Sequence, residues 1–470
     1  MLEPVSETSA RDANNPPLRD EEGAIHSEFI EQVRTALEAA DAETLRRLVG
    51  ELHEADLGDL LEALDPEERP QLIKLMGEDF DFAALAEVDH AVREEILDEL
   101  PPETVAEGVR ELDLDDAVYI LEDLPEDERA EILDQLSPRE RVALARSLQY
   151  PEDSAGRRMQ TDYIAVPPSW RVGHAIDYMR ETEELPERFY ELYVVDTDSR
   201  LLGAVSLDRL LRTKRPTLVS ELMDAERRRV RATDDQEEVA RLFERYNLIA
   251  VPVVDEADRL VGVITVDDVV DVIEEEAEKD IKALGGVTGD EQLSDSVWTI
   301  ARGRFNWLLV NLATAFLASS VLGLFEGELQ KMVALAVLAP IVASQGGNAA
   351  TQTMTVAVRA LATRELRDSN AWRVVLRELL VGLVNGLAFA VIAGVAAYAW
   401  FNIPDLGLVI GLAMICNLAA AALGGILIPL TIAKFRLDPA VSSGVFVTTV
   451  TDVVGFFSFL GIATLWFGLR

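Results

Sequence analysis

The sequence predicts a multidomain membrane protein: an all-α superhelical N-terminal domain, a duplicated α/β unit, an acidic connecting helix and a five-span all-α transmembrane domain. Three observations predict it. The chain of 470 residues has a formal charge of −41, and the charge is segregated: residues 301–470 carry 11 Lys and Arg against 8 Asp and Glu, residues 1–300 carry 32 against 76. Five apolar runs, each near or above the ~20 residues a bilayer needs, fall in the nearly neutral part. Two stretches 59 positions apart, LYVVDTDSRLLGAVSLDRLL from Leu192 and VPVVDEADRLVGVITVDDVV from Val251, repeat one another.

In chain order, residues 1–26 are acidic and lack an apolar core, so they read as a disordered tail and not as a secretory signal. Over 27–150, short amphipathic patterns recur, each opened by Pro and acids (ALDPEERPQLI, DELPPETVAEGV, EDLPEDERAEIL, DQLSPRERVALA). Pro in the first turn with Asp or Glu beside it starts a helix, and the spacing implies stacked short helices. The two α/β copies occupy 151–216 and 217–273, each a β-branched strand, an Asp-rich turn, a second strand after Gly203 or Gly262 and a helix start. Residues 274–300 continue as the acidic connecting helix. The pore-like part, 301–470, holds spans at about 306–325, 332–358, 374–400, 406–433 and 445–467.

Basic residues fix the orientation. Arg302 and Arg304 precede the first span, Arg359, Arg364, Arg367, Arg373 and Arg377 surround the second connection, and Lys434 and Arg436 lie in the fourth; the first and third connections hold only Lys331. Positive residues stay inside, so the N-terminal domains are expected in the cytoplasm and the protein in the cytoplasmic membrane, with lipid around its spans. A net −44 over residues 1–300 repels phosphates and excludes nucleic acid as a partner. Cations or basic partners suit such a surface, although acidity also simply keeps a protein soluble. Cys416 is the only cysteine and the four histidines all precede residue 175, so ions in the membrane must meet oxygen ligands.

Asp452 is the outstanding residue. It sits among Thr448, Thr449 and Thr451 in VTTVTDVVGFFSFLGIATLWF, where a carboxylate costs roughly 2.5–3.5 kcal/mol on translocon scales and usually faces a cavity or a partner. The second span, LAPIVASQGGNAATQTMTVAV, contains Pro340 and a Gly346–Gly347–Asn348 segment expected to break the helix. Freed carbonyls, Asn348, Thr351 and Gln352 would then offer oxygen ligands; the alternative is that small residues only allow close packing. In a twofold dimer two copies of Asp452 would face one pore, a set suited to a hydrated hard cation such as Mg²⁺.

On the connecting helix Asp268, Asp271, Glu275 and Glu278 share a face, either a divalent-cation sensor or a solvated stripe. Thr265-Val266-Asp267-Asp268 follows the strand GVI in an S/T-x-x-D pattern that can meet a nucleotide ribose; the first copy, Ser206-Leu207-Asp208-Arg209, puts Arg209 in the acid's place.

Together these segments are similar to one family. The repeated stretches resemble a tandem pair of CBS domains, and SQGGNAATQTMTVAVRALATREL with LDPAVSSGVFVTTVTDVVG resembles the MgtE family of magnesium channels and transporters, over about residues 30 to 467. The resemblance implies a homodimer with an axial pore and places its pore acid on Asp452. It also implies cytoplasmic Mg²⁺ sites on Glu87, Asp115, Asp235, Glu237, Asp268, Asp271, Glu276 and Asp280, closing the pore when internal Mg²⁺ is high. Tyr119, Asn247 and Lys279 stand where further acids would be expected, and Gln345 where a small residue would. No GxxxxGK[ST] motif occurs, so a CBS-bound nucleotide such as ATP would be regulatory, and no catalytic residue is expected. The rival readings are an exchanger coupled to Na⁺ or H⁺, a nucleotide sensor in which the threonines satisfy Asp452, and, more distantly, an intramembrane hydrolase.

Overall fold

The structure, a computed structural model, describes residues 18–469 apart from 21–22, 123, 183–184, 187, 288–290, 292–296, 368 and 436. Most of the expected N-terminal tail and part of the expected linker therefore lie outside the described residues. The chain forms two compact units, Met1–Glu274 and Glu275–Arg470.

Among the described residues the first unit opens with nine short α-helices: α1 (Ser27–Glu38), α2 (Ala42–Val49), α3 (Glu54–Ala63), α4 (Glu68–Met76), α5 (His90–Glu99), α6 (Pro102–Val109), α7 (Leu114–Glu122), α8 (Glu126–Gln135) and α9 (Pro138–Ser147). Their starts follow from local chemistry. Pro102 and Pro138 occupy the first turns of α6 and α9, and Ser137 and Glu140 cap α9 reciprocally, satisfying amides that the helix itself leaves unpaired. One buried side of each helix contributes to a single core running from Ile25 to Leu144. Stacking is what buries these faces, since an eight-residue helix is marginal in water alone.

The α/β copies follow. The first contains β1 (Ala165–Val166), α10 (Val172–Glu181), β2 (Glu191–Val195), β3 (Leu201–Ser206), α11 (Leu207–Leu211) and α12 (Val219–Leu222); the second contains β4 (Val230–Arg231), α13 (Gln236–Tyr246), β5 (Ala250–Val254), β6 (Leu260–Thr265) and α14 (Val266–Leu284). Each sheet has a parallel pair followed by an antiparallel pair, with a register shift at the same place, Val194/Val195 and Val253/Val254. The hairpin tips pair with each other: Leu201 N donates to Asp258 O at 3.0 Å and Leu260 N to Ser199 O at 2.9 Å. The duplication is thus also a pseudo-twofold pairing.

The second unit contains α15 (Val297–Leu324), the short α16 (Glu326–Lys331), α17 (Val333–Ala362), α18 (Ala371–Phe401), α19 (Pro404–Lys434) and α20 (Pro439–Phe467). Five of these are long and apolar enough to cross a membrane. α17 and α19 are the most enclosed and α15 the most exposed, so α17, α19 and α20 make the bundle's interior. α17 runs unbroken through Pro340 and Gly346–Gly347–Asn348, which corrects the expected break.

Candidate functional site

In the membrane unit, Asp438 caps α20 by accepting from Ala440 N at 2.7 Å, with Pro439 in the first turn. That start sets the phase of the helix and so the face on which Thr448 and Asp452 stand one turn apart. The threonine hydroxyls are committed to their own helix. Thr448 donates to Gly444 O, Thr449 to Val445 O at 2.6 Å and Thr451 to Thr448 O at 2.9 Å. Among the described residues no hydrogen bond or ion pair reaches Asp452, which is half-buried, and no group of three His, Cys, Asp or Glu forms a metal cage. A single chain therefore presents Asp452 as an unneutralised carboxylate.

The glycines act through close approach. A Cβ on Gly347 would lie 3.6 Å from Thr448 Cγ2 and 3.9 Å from Thr451 Oγ1, while one on Gly346 would collide with Asn417. Of the six lining residues expected from sequence, Asn348 and Thr448 are exposed and Gly347 and Thr449 half-buried, but Gly346 and Thr451 are buried between helices. Those two serve packing within one chain. Asn417, wholly buried on α19, was missed by the sequence reading; a lone Asn in ICNLAAAAL was the available signal.

The cytoplasmic acids gather where α7 meets the start of α14. Asp268 accepts from Thr265 N at 3.1 Å and from Thr265 Oγ1 at 2.8 Å, and its side chain also hydrogen-bonds Asp115. Asp115 is buried, and its Oδ1 has no hydrogen-bond partner among the described residues. Burial drives its carboxyl well above the usual range, with Asp268 adding negative potential. Burial likewise raises Asp268 to about 6 and, helped by Asp268 and Asp113, raises Asp116 to about 7. Glu87 is pushed up by burial and then by Asp271, and Asp271 is pushed up by burial. A carboxyl pair sharing a hydrogen bond needs one proton; a hard divalent cation with oxygen preference can take that proton's place.

The other predicted acids are held locally. Asp235 caps α13, accepting from Glu237 N and Glu238 N at 2.9 and 3.4 Å, and Glu237 pairs with Arg241. Glu276 lies 3.3 Å from Lys279 Nζ, and Asp280 is half-buried on α14. Asp116 was missed because acids in a first helical turn are already explained by the helix dipole.

The departures also have local accounts. The Tyr119 ring lies beneath Arg93 at 4.3 Å and Arg158 at 5.2 Å, and Arg158 pulls Asp271 back down. Asn247 is the left-handed cap of α13 at φ 50°, a conformation Asn tolerates. Thr265 and Asp268, expected to meet a nucleotide, are hydrogen-bonded to each other. A cleft of about 460 Å³ lies instead between the two copies, lined in part by Tyr190, Glu191, Ser206 and Asp208 of the first and Arg227 and Asn247 of the second.

A bundle with an uncompensated intramembrane carboxylate, carried with CBS-like and helical-repeat domains, points to the class of membrane cation transporters. Family models agree: a divalent cation transporter domain matches residues 339–462, an MgtE intracellular N domain 52–153, and CBS domains 155–215 and 219–275. The magnesium transporter MgtE of Enterococcus faecalis is 38% identical over 423 residues, covering 90% of this chain and 93% of that protein. The one from Thermus thermophilus is 38% identical over 330 residues, covering 70% and 73%. The solved cytosolic domain of the Mg²⁺ channel MgtE in complex with ATP is 36% identical and covers 52% of this chain and 99% of its own, at a TM-score of 0.48. The soluble part of a magnesium transporter is 28% identical, covering 53% and 98%, at a TM-score of 0.49. The chain belongs to the MgtE family, and is a multi-pass membrane protein with its N-terminal domain in the cytoplasm.

Proposed function

We propose that this chain is a homodimeric, channel-type transporter that admits Mg²⁺ down its electrochemical gradient and closes when cytoplasmic Mg²⁺ binds its acidic domains. Its relatives are named magnesium transporters. The observation that carries the pore reading is Asp452, a carboxylate on a membrane helix with no partner among the described residues. Its threonine neighbours donate to backbone carbonyls, which removes the ground for a structural acid satisfied by them. Two such carboxylates across a dimer axis suit an ion that keeps most of its water. Asp115 and Asp268, with Asp116, Glu87 and Asp271 around them, form the gating cluster; Asp235 and Glu237, and in the second unit Glu276 and Asp280, are separate candidate ligands. A regulatory nucleotide such as ATP has Thr265 and Asp268, or the cleft between the two copies, to meet. No covalent chemistry is required of any residue.

The test is Mg²⁺ entry into proteoliposomes without Na⁺ or pH gradients. Entry at low internal Mg²⁺ that stops when internal Mg²⁺ is raised is the expected result; entry only with a Na⁺ or pH gradient would establish the exchanger. Lys279→Glu is expected to shift closure to roughly 30-fold lower internal Mg²⁺, because it changes the charge near the ligands by two units, each worth on the order of 1 kcal/mol in water. An unmoved inhibition curve would remove Lys279 as a modifier of sensing.

A further inference from the structure

We infer that Asn417 is a positioning residue of the ion path, an amide clamp that holds the polar segments of α17 and α20 in place. The inference rests on the transport reading above. Asn417 is 0% exposed on α19, and its Nδ2 donates to Val342 O of α17 at 2.7 Å. A Cβ at Gly346 would fall 2.1 Å from that nitrogen, and one at Gly455 2.9 Å from it. The amide thus fills the space that two glycines, one on each neighbouring helix, leave open.

Both glycines are tied to the path. Gly346 directly precedes Gly347, which faces Thr448 and Thr451, and Asn348. Gly455 lies three residues after Asp452, less than one helical turn. A slide or rotation at the amide therefore moves Asn348 and Asp452 together. The other side of the amide adds a second argument: Oδ1 is buried and has no hydrogen-bond partner among the described residues, which is costly where water cannot reach it. An apolar residue of the same volume would be as stable or more so, so stability alone does not account for Asn at this position. The Nδ2 contact, which fixes the depth of α17 against α19, does.

Wild type, Asn417→Leu, Asn417→Asp, Asn417→Ala, Gly346→Ala and the Gly346→Ala/Asn417→Ala double variant would be compared as full-length protein, by Mg²⁺ entry into proteoliposomes and by melting in detergent. Asn417→Leu should melt no lower than wild type while entry falls at least about 10-fold, since a misplacement of about 1 Å can cost that much or more. Asn417→Asp keeps the shape and, when protonated, a donor for Val342 O, so its entry relative to wild type should persist at pH 6 and fail by pH 9. The titratable groups on the three helices are Arg359 on α17, Asp405, Cys416 and Lys434 on α19 and Asp452 on α20; wild type carries all five, so the ratio isolates the new acid. The double variant should conduct no worse than Asn417→Ala, because removing the amide removes the clash. Wild-type entry in Asn417→Leu overturns the clamp, as does loss of entry that tracks loss of melting temperature across the set. Should the Leu variant not fold, a flat pH ratio for Asn417→Asp overturns it alone. A wild type that admits no Mg²⁺ sinks the transport reading and the clamp together, whereas a conducting wild type beside a conducting Leu variant sinks only the clamp.

Discussion

Asp452→Ala is expected to lower Mg²⁺ entry into proteoliposomes by about 100-fold or more, to the leak of protein-free vesicles, while melting temperature and particle size stay those of the wild type. The magnitude follows from losing the carboxylate partner of a hydrated divalent cation inside a low-dielectric bundle, about 3 kcal/mol. Stability should not fall, because Asp452 has no hydrogen bond or ion pair to lose among the described residues. Asp452→Asn should fall nearly as far, since it keeps an oxygen and the shape but not the charge. Entry equal to wild type in both variants would move the ion path elsewhere in the bundle. A variant that loses entry together with its folded particle would instead return Asp452 to a structural role.

Asp115→Asn with Asp268→Asn should leave entry at low internal Mg²⁺ intact and raise the internal Mg²⁺ needed for closure by at least about 10-fold, the equivalent of 1.4 kcal/mol of binding. The same cluster gives a stability test whose sign is fixed by the raised carboxyls. Asp268 at about 6 and Asp116 at about 7 bind protons more tightly folded than unfolded. Their contribution is whole below the unfolded value near 4 and is lost as pH rises through about 6 to 7. Mg²⁺-free protein should therefore be less stable at pH 8 than at pH 5.5, by an amount on the order of a few kcal/mol, and melt lower. Mg²⁺ should raise the melting temperature more at pH 8, where it replaces protons, than at pH 5.5, where it competes with them. Neutralising Asp115 and Asp268 should raise the Mg²⁺-free melting temperature and flatten the Mg²⁺ response. An undiminished Mg²⁺ shift in the double variant would show that other acids hold the ion.

The fold was legible where one local rule acts at a time. Pro102, Pro138 and the Ser137–Glu140 pair mark helix starts by backbone chemistry alone. The repeated β-branched strands reappear as two sheets with matching register shifts, and five apolar runs become five long helices. Legibility failed at Gly346–Gly347, where the sequence reads as a break and α17 continues. Glycine permits either outcome, and the choice falls to the helix packed against it, here through Asn417 and Thr448. Asp116 was invisible for a related reason, since the same acid can serve a helix dipole or a buried cluster.

By itself the sequence determined the order of the domains, their orientation in the bilayer, the restriction to oxygen ligands and the presence of one carboxylate, Asp452, that an apolar helix cannot leave unexplained. These depend on composition and period, which are properties of the chain. The tertiary structure alone decided that Asp115 meets Asp268, that the threonines turn to their own backbone, that Tyr119 lies under two guanidinium groups, and that Asn417 fits between Gly346 and Gly455. Each of those depends on which distant segments come within a few ångströms, where burial raises a carboxyl or closes a gap, and no local pattern records that distance.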